Sequence, residues 1–248
     1  MTPPFSTESE RLVKSAERVK DLAEVFTPRQ TVNDILDLLP NDMWAVHPSP
    51  TYLEPACGDG NFLVPILERK LHRVTELYRT GRLPAGEGLE AVSFHGLEAL
   101  SSIYGVDISA DNIVGGSIEH PIGARDRMNI TFSEWWPTVT EKKLSTASRI
   151  FKSAQWITSR NIILGNMLAF DSDGRKTNRQ AMPFIQYTWR PEVLILEVSK
   201  TTLGDVTEAQ LQERSDEMVL FAAQEPIFLW KGHHMSLHAV GANVAEST

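Results

Sequence analysis

The chain has 248 residues, 42% of them hydrophobic and 23% charged, which gives room for one α/β domain with decorations or for about one and a half domains. Its net charge of −8 argues against a surface that grips a phosphate backbone unaided, since such binding runs on Lys and Arg, although a local basic face or a basic partner subunit remains compatible with it. The single cysteine, Cys57, excludes a disulfide framework and a cysteine zinc site and suits a reducing cytoplasm. No apolar run approaches the roughly 18 residues that span a bilayer, and the first residues lack the apolar core of a signal peptide.

Residues 1–6 are polar. From Thr7 to about Val25 the apolar residues Leu12, Ala16, Val19, Leu22 and Ala23 recur at helical steps. Thr27 reads as an N-cap, with Pro28 at the first helical position and Gln30 at the third. That helix runs to about Leu39, with Val32, Ile35, Leu36 and Leu39 inward, and Pro40 stops it. A proline-punctuated loop, residues 41–50, leads to the stretch around which the chain is organised, Thr51-Tyr-Leu-Glu-Pro-Ala-Cys-Gly-Asp-Gly-Asn-Phe-Leu-Val64.

Tyr52 and Leu53 read as the end of a short buried strand, closed by the carboxylate of Glu54. Pro55 to Gly60 form a tight turn, and a helix follows from Asn61 with Phe62, Leu63, Ile66 and Leu67 on one apolar side. Strand, glycine turn and helix make a nucleotide-type cradle. Gly58 and Gly60 permit close backbone approach to a ligand, and the helix start supplies unpaired N–H groups beside it. The dinucleotide fingerprint needs a third glycine where Leu63 stands, and no Gly-Lys-Ser/Thr of a P-loop follows. An acid ahead of Gly-x-Gly suits a cationic ligand such as S-adenosylmethionine, where a pyrophosphate is repelled.

The helix from Asn61 is expected to reach Thr80. A Gly- and Pro-rich loop, 81–88, precedes another helix over 89–101. Ser102–Val106 reads as the second strand, with Asp107 at its end. A carboxylate in that place either accepts hydrogen bonds from ribose hydroxyls or caps the short helix expected over Asp111–Glu119. Residues 120–155 carry Trp135-Trp136, a base-stacking platform or core packing, and the basic pair Lys142-Lys143. Trp156–Leu164 reads as the third strand, followed by Gly165-Asn166-Met167-Leu168. Phe184–Trp189 and Glu192–Glu197 read as two strands of a hairpin, Thr207–Ala223 as a helix, and Ile227–Trp230 as a short apolar piece. His233-His234 point in different directions on any regular element, so no metal site is assigned.

Four of these stretches, in this order, resemble the N6-adenine DNA methyltransferases of restriction–modification systems. Glu54-Pro-Ala-Cys-Gly-Asp-Gly-Asn-Phe-Leu63 resembles that family's cofactor loop, and Val25-Phe26-Thr27-Pro28 its Phe-x-Pro segment beside the methionine end of the cofactor. Tyr104-Gly105-Val106-Asp107-Ile108 resembles its second strand and Ile163-Leu164-Gly165-Asn166-Met167-Leu168 its third. The resemblance implies an α/β fold with a doubly wound, mostly parallel sheet of the class I methyltransferase (Rossmann-like) type, carrying N-terminal helices over the cofactor mouth. It implies S-adenosylmethionine held by Phe26, Thr27, Pro28, Glu54, Ala56, Cys57, Gly58, Gly60, Asn61, Phe62, Asp107, Ile108, Asn166, Met167 and Leu168, with the Asn166 carbonyl accepting from the adenine amino group where the family usually has Asp. The expected organisation is an N-terminal helical segment at 1–24, a methyltransferase-like domain at 25–200, and a C-terminal helix and tail at 201–248.

The resemblance stops at the catalytic half. Transfer to adenine N6 needs an aromatic ring under a flipped base and oxygens that accept from its amino group, which the family supplies as Asp/Asn/Ser-Pro-Pro-Tyr/Phe/Trp. Only Pro3-Pro4 are adjacent prolines, and Thr2 and Phe5 flank them. The place where the motif belongs holds Asp171, Trp189 and Glu192 instead. The catalytic residues are therefore unassigned. Three readings follow: a DNA adenine methyltransferase or a subunit of one, inactive alone and reaching DNA through a partner or a local basic face; a degenerate relative that only binds cofactor, nucleic acid or protein; or transfer to another acceptor lined by Phe184–Glu197. The expected compartment is the cytoplasm, without membrane attachment, and the oligomeric state is left open.

Overall fold

The computed structural model describes residues 27–84, 88–117, 121–168, 174–191, 195–206 and 228–231. The helix expected over 7–25, the stretch 207–227 and His233-His234 lie outside them.

The first helix, α1 (Arg29–Leu36), buries Val32 and Leu36 one turn apart. It starts one residue later than the sequence suggests. Pro28, extended at ψ 145°, is the N-cap, and its carbonyl accepts from Val32 N–H at 3.0 Å. Thr27 is thus not the cap. A 3-10 turn at Asn41–Trp44 leads to β1 (Tyr52–Glu54), which feeds α2 (Leu63–Arg79), α3 (Gly88–Ser101) and β2 (Ile103–Asp107). A second crossover follows through α4 (Ala110–Val114), α5 (Ala124–Thr140) and α6 (Arg149–Asn161) into β3 (Ile162–Leu164).

β1, β2 and β3 form a parallel sheet in that order, with Glu54 opposite Gly105 and Asp107 opposite Leu164. Side chains of β2 alternate between two covers. On one face Gly105 lies so close to the start of α2 that an added Cβ would fall 2.8 Å from Leu63 Cδ1 and 3.0 Å from Cys57 Sγ. On the other face Tyr104 meets Phe184 edge-on at 5.7 Å, its hydroxyl donates to the Ile185 carbonyl at 2.6 Å, and Val106 packs with Met182, Phe184 and Leu203.

That second cover is an antiparallel sheet of β4 (Pro183–Arg190), β5 (Ile195–Thr202) and β6 (Phe228–Lys231). The expected hairpin is present, with Trp189 opposite Leu196. The protein is therefore α/β, with helices packed on a parallel three-stranded sheet. Among the described residues the parallel winding does not continue past β1. A hairpin needs only a tight connection, whereas another parallel strand needs a helical crossover, and the chain takes the first course. Position 200 falls inside β5.

One further expectation is corrected, and one open alternative is decided in favour of core packing. Residues 156–161 are helical, and only Ile162–Leu164 are strand. Ser148 caps α6 by accepting from Phe151 N–H at 3.2 Å, and Ala154, Ile157, Thr158 and Asn161 recur on the buried face at helical steps. Trp135 and Trp136 are core residues of α5, 8% and 5% exposed, and Trp135 Nε1 donates to Thr75 Oγ1 at 2.8 Å, so neither offers a free face to a base. Among the described residues no helix is long and apolar enough to cross a membrane.

Every residue of α3 from Ala91 to Ser101 is buried, as befits a helix surrounded on all sides. It carries a polar knot. Glu98 accepts from His47 Nδ1 at 2.7 Å, His95 Nδ1 at 3.0 Å and Ser49 N–H at 3.3 Å. Nearby, Lys70 is 2% exposed and donates to Ser49 Oγ at 2.8 Å and the Pro50 carbonyl at 2.7 Å, with its ammonium over the Tyr52 ring. The loop that delivers the chain into β1 is thereby anchored from two helices.

Burial pushes the Lys70 amine down from 10.5 to about 7, against the opposing pull of Glu98. Between those two values the unfolded chain holds a proton that the folded protein has released, so stability rises with pH across that window. Melting curves taken across it are expected to climb for the native protein and to climb less steeply for Lys70→Met. An equal slope in both proteins would assign the climb to other groups.

Candidate functional site

The three parallel strands bring Glu54, Asp107 and Leu164 to one edge of the sheet, because each crossover returns the chain to the opposite edge before the next strand begins. The glycine turn therefore lies beside the ends of β2 and β3. Three of the four predicted segments, at Glu54–Phe62, Asp107–Ile108 and Asn166–Leu168, are gathered there.

The turn is held tightly. Cys57 N–H donates to the Val106 carbonyl at 2.9 Å, continuing the contact with β2 beyond the strand, and Gly60 N–H closes back on the Cys57 carbonyl at 2.9 Å. Gly58 and Gly60 have φ of 54° and 99°, the left-handed region where a side chain is strained. Ala124 of α5 sits against Gly60. The Cys57 side chain is buried against Gly105, where burial and then the Asp107 and Glu54 carboxylates push its thiol well up. Only its backbone is placed to meet a ligand.

Asp107 is the junction of the site. Its Oδ2 accepts from Gly58 N–H at 2.9 Å, and its Oδ1 accepts from Ser109 N–H at 2.8 Å and from Asn112 Nδ2 at 3.0 Å. It thus ties the turn to β2 and also holds the entry to α4. Oδ2 accepts no second hydrogen bond among the described residues, which leaves one of its acceptor positions unused. Glu54 accepts from Ala56 N–H at 3.2 Å through Oε1, and burial raises its carboxyl while that bond lowers it. Its second oxygen has no partner among the described residues and suits a cationic group. Ile108 and Leu164, 58% and 56% exposed, place apolar surface at the same edge, as a flat ring requires.

Other predicted residues fare differently. Phe26 is outside the described residues. Thr27 and Pro28 precede α1, which is tied to α2 through Arg29–Glu68 and Arg69–Asp37, and no hydrogen bond joins them to the glycine turn among the described residues. Ala56 is exposed, and Phe62 is half-buried at the N-cap of α2. Asn61 Oδ1 accepts from Arg127 Nη1 at 3.2 Å. Asn166 Oδ1 accepts from Leu168 N–H at 2.9 Å, a local turn that competes with the bond expected to adenine. Met167 packs against the second sheet, and Leu168 is exposed. Trp189 is 8% exposed, crosses Phe94 edge-on at 4.8 Å and donates through Nε1 to Ser101 Oγ at 2.8 Å, so it is a core residue and not a platform for a base. Asp171 and Glu192 lie outside the described residues.

Sequence reasoning missed Arg127, which donates to the Asp59 carbonyl at 3.0 Å and pairs with the Asp59 carboxylate at 2.7 Å. It also missed Ser109 and Asn112. No spacing rule marks an arginine three helices further along the chain as the brace of a turn. A groove of about 760 Å³ between α1 and α2, lined in part by Leu36, Trp44, Arg69 and His72, contains none of the predicted residues. Among the described residues no group of three His, Cys, Asp or Glu could hold a metal ion.

No protein-family model matches the chain, and no curated protein or solved structure matches it significantly.

Proposed function

We propose that the chain binds S-adenosylmethionine at the carboxyl edge of its parallel sheet and serves as a methyltransferase-type subunit related to the N6-adenine DNA methyltransferases. The observation that carries this reading is the Gly58 N–H bond to Asp107, which joins the acid-x-x-x-Gly-x-Gly turn to the acid of the second strand at one edge. Glu54 beside that turn favours a sulfonium and ammonium ligand over a pyrophosphate, and Ile108 with Leu164 supplies apolar surface for the adenine. In class I methyltransferases the strands on the far side of β1 complete the sheet, and the acceptor clamp follows them. In this chain no Asp/Asn-Pro-Pro-aromatic motif occurs, and the aromatic in its place, Trp189, is in the core.

The chain alone is therefore expected to bind the methyl donor without transferring it to adenine. An unaligned acceptor nitrogen is a poor nucleophile, and a misplacement of about 1 Å already costs on the order of a hundredfold in rate. Calorimetry should detect S-adenosylmethionine or its demethylated product, and tritiated methyl transfer to unmethylated DNA should appear only when host lysate supplies a partner. Absence of binding at millimolar cofactor would overturn the reading. Turnover by the isolated chain would move the clamp into it, with Asp171 and Glu192 the first residues to replace.

A further inference from the structure

The charge of this acidic protein is unevenly spread. From Lys142 to Phe170 the charged residues are Lys142, Lys143, Arg149, Lys152 and Arg160, and no Asp or Glu interrupts them. The middle of this stretch, with Arg149, Lys152 and Arg160, is α6. Its buried face is Ser153, Ala154, Ile157, Thr158 and Asn161, and Asn161 fixes the helix by donating to the carbonyls of Ser101 and Ile103. Steps of three, four and four then place Arg149, Lys152, Trp156 and Arg160 along the opposite face. Arg149 and Lys152 are exposed, and Trp156 and Arg160 are half-buried.

The end of this stripe is short of acceptors. The Arg160 guanidinium lies over the Trp156 ring at 4.3 Å and, among the described residues, makes one bond, to Ser159 Oγ at 2.9 Å. Trp156 Nε1 is buried and has no acceptor among the described residues. Arg125, at the start of α5, donates through Nε to the Ile162 carbonyl at 2.8 Å, and burial together with the Arg160 charge holds it below the usual arginine range. Two guanidinium groups and an indole N–H thus converge, and among the described residues no carboxylate pairs with Arg160. Such a cluster calls for an anion, and cations interleaved with an aromatic along a helix are the pattern that tracks a phosphate backbone.

We propose that the outer face of α6, from Arg149 through Lys152 and Trp156 to Arg160 and extended by Arg125, is the surface that contacts the phosphate backbone of DNA. This rests on the proposed function, and it places the DNA contact within this chain rather than in a partner alone. With only a few phosphates engaged the contact is weak and strongly salt-dependent, which reconciles it with an overall charge of −8.

The test uses the full chain without cofactor and a short fluorescent duplex of mixed sequence, followed by anisotropy over a range of low salt. The native protein should bind, with affinity falling as salt rises. Lys152→Gln together with Arg160→Gln should weaken binding at least tenfold and lower the salt slope by about two. Arg73→Gln with Arg82→Gln removes the same charge from a half-buried position in α2 and an exposed one just beyond its end, and should leave both quantities nearly unchanged. Lys152→Gln alone, at an exposed position where a polar replacement leaves the packing intact, serves as a second variant and should weaken binding and lower the salt slope by about one. No binding by the native protein at low salt, or equal losses in the two double variants, would overturn the proposal. Calorimetric cofactor titration of the same proteins is independent of this readout, so failure of the cofactor reading is seen separately.

Discussion

Asp107→Ala is expected to destabilise the protein by about 3 kcal/mol, because it removes a buried charged acceptor from three donors at once. Gly58 N–H, Ser109 N–H and Asn112 Nδ2 all lose their partner, and Asp107 and Asn112 are 8% and 2% exposed, so water does not readily replace it. For a chain of this size such a loss lowers the melting temperature by roughly 6–12 °C. Cofactor affinity should fall with it, since the turn is no longer tied to β2. Asp107→Asn tests the reason. It keeps the shape but presents an amide NH₂ to one set of donors, so it should cost less than the alanine and still more than a surface change. Both proteins are compared by thermal melting and by calorimetric titration with S-adenosylmethionine. A melting temperature unchanged in Asp107→Ala would sink the account of Asp107 as a structural junction.

Glu98→Ala is expected to be of similar size or larger. The carboxylate is 2% exposed and is shared by His47, His95 and Ser49, while Lys70 sits close by with its own charge buried. Both ring nitrogens of His95 face oxygens, Glu98 on one side and the Pro84 carbonyl at 2.5 Å on the other, so the ring cannot turn to find a new acceptor. Removing one member of a buried ionic group costs about 3–5 kcal/mol, because the others stay buried without it. Denaturant titration of Glu98→Ala and Glu98→Gln measures this. The glutamine variant, which keeps an acceptor, should retain a good part of the stability. A loss under about 1 kcal/mol in the alanine variant would mean that water reaches the knot.

What the sequence disclosed and what it concealed divide along physical lines. The glycine turn was legible because backbone geometry imposes it: Gly58 and Gly60 occupy left-handed conformations, and the apolar side of α2 follows at helical spacing. The antiparallel pairing of β4 with β5 was legible from alternation, although the burial of Trp189 in the core was not. The third strand was read too long because Trp156 and Ile157 favour strands locally, while the Ser148 cap and the buried steps to Asn161 make them helical. Lys70 and Glu98 gave no sign of burial. Each looks like a solvated charge in its helix, and only the meeting of α2, α3 and the 47–50 loop encloses them. The double use of Asp107 was half legible: its place at the strand end was clear, its bond across to Gly58 was not.

The enclosure of α3 has a consequence for how the chain can be cut. Phe94 and Ser101 of this helix are covered by Trp189 of β4, and Asn161 at the end of α6 binds both the end of α3 and, through the Tyr187 hydroxyl, the antiparallel sheet. A fragment ending at Leu168 would hold every described strand of the parallel sheet and the three segments gathered at its carboxyl end, yet its central helix would be open to water along one flank. A fragment cut there is expected to fold poorly, and the two sheets are expected to melt together in one cooperative transition, which calorimetry would show as a single peak.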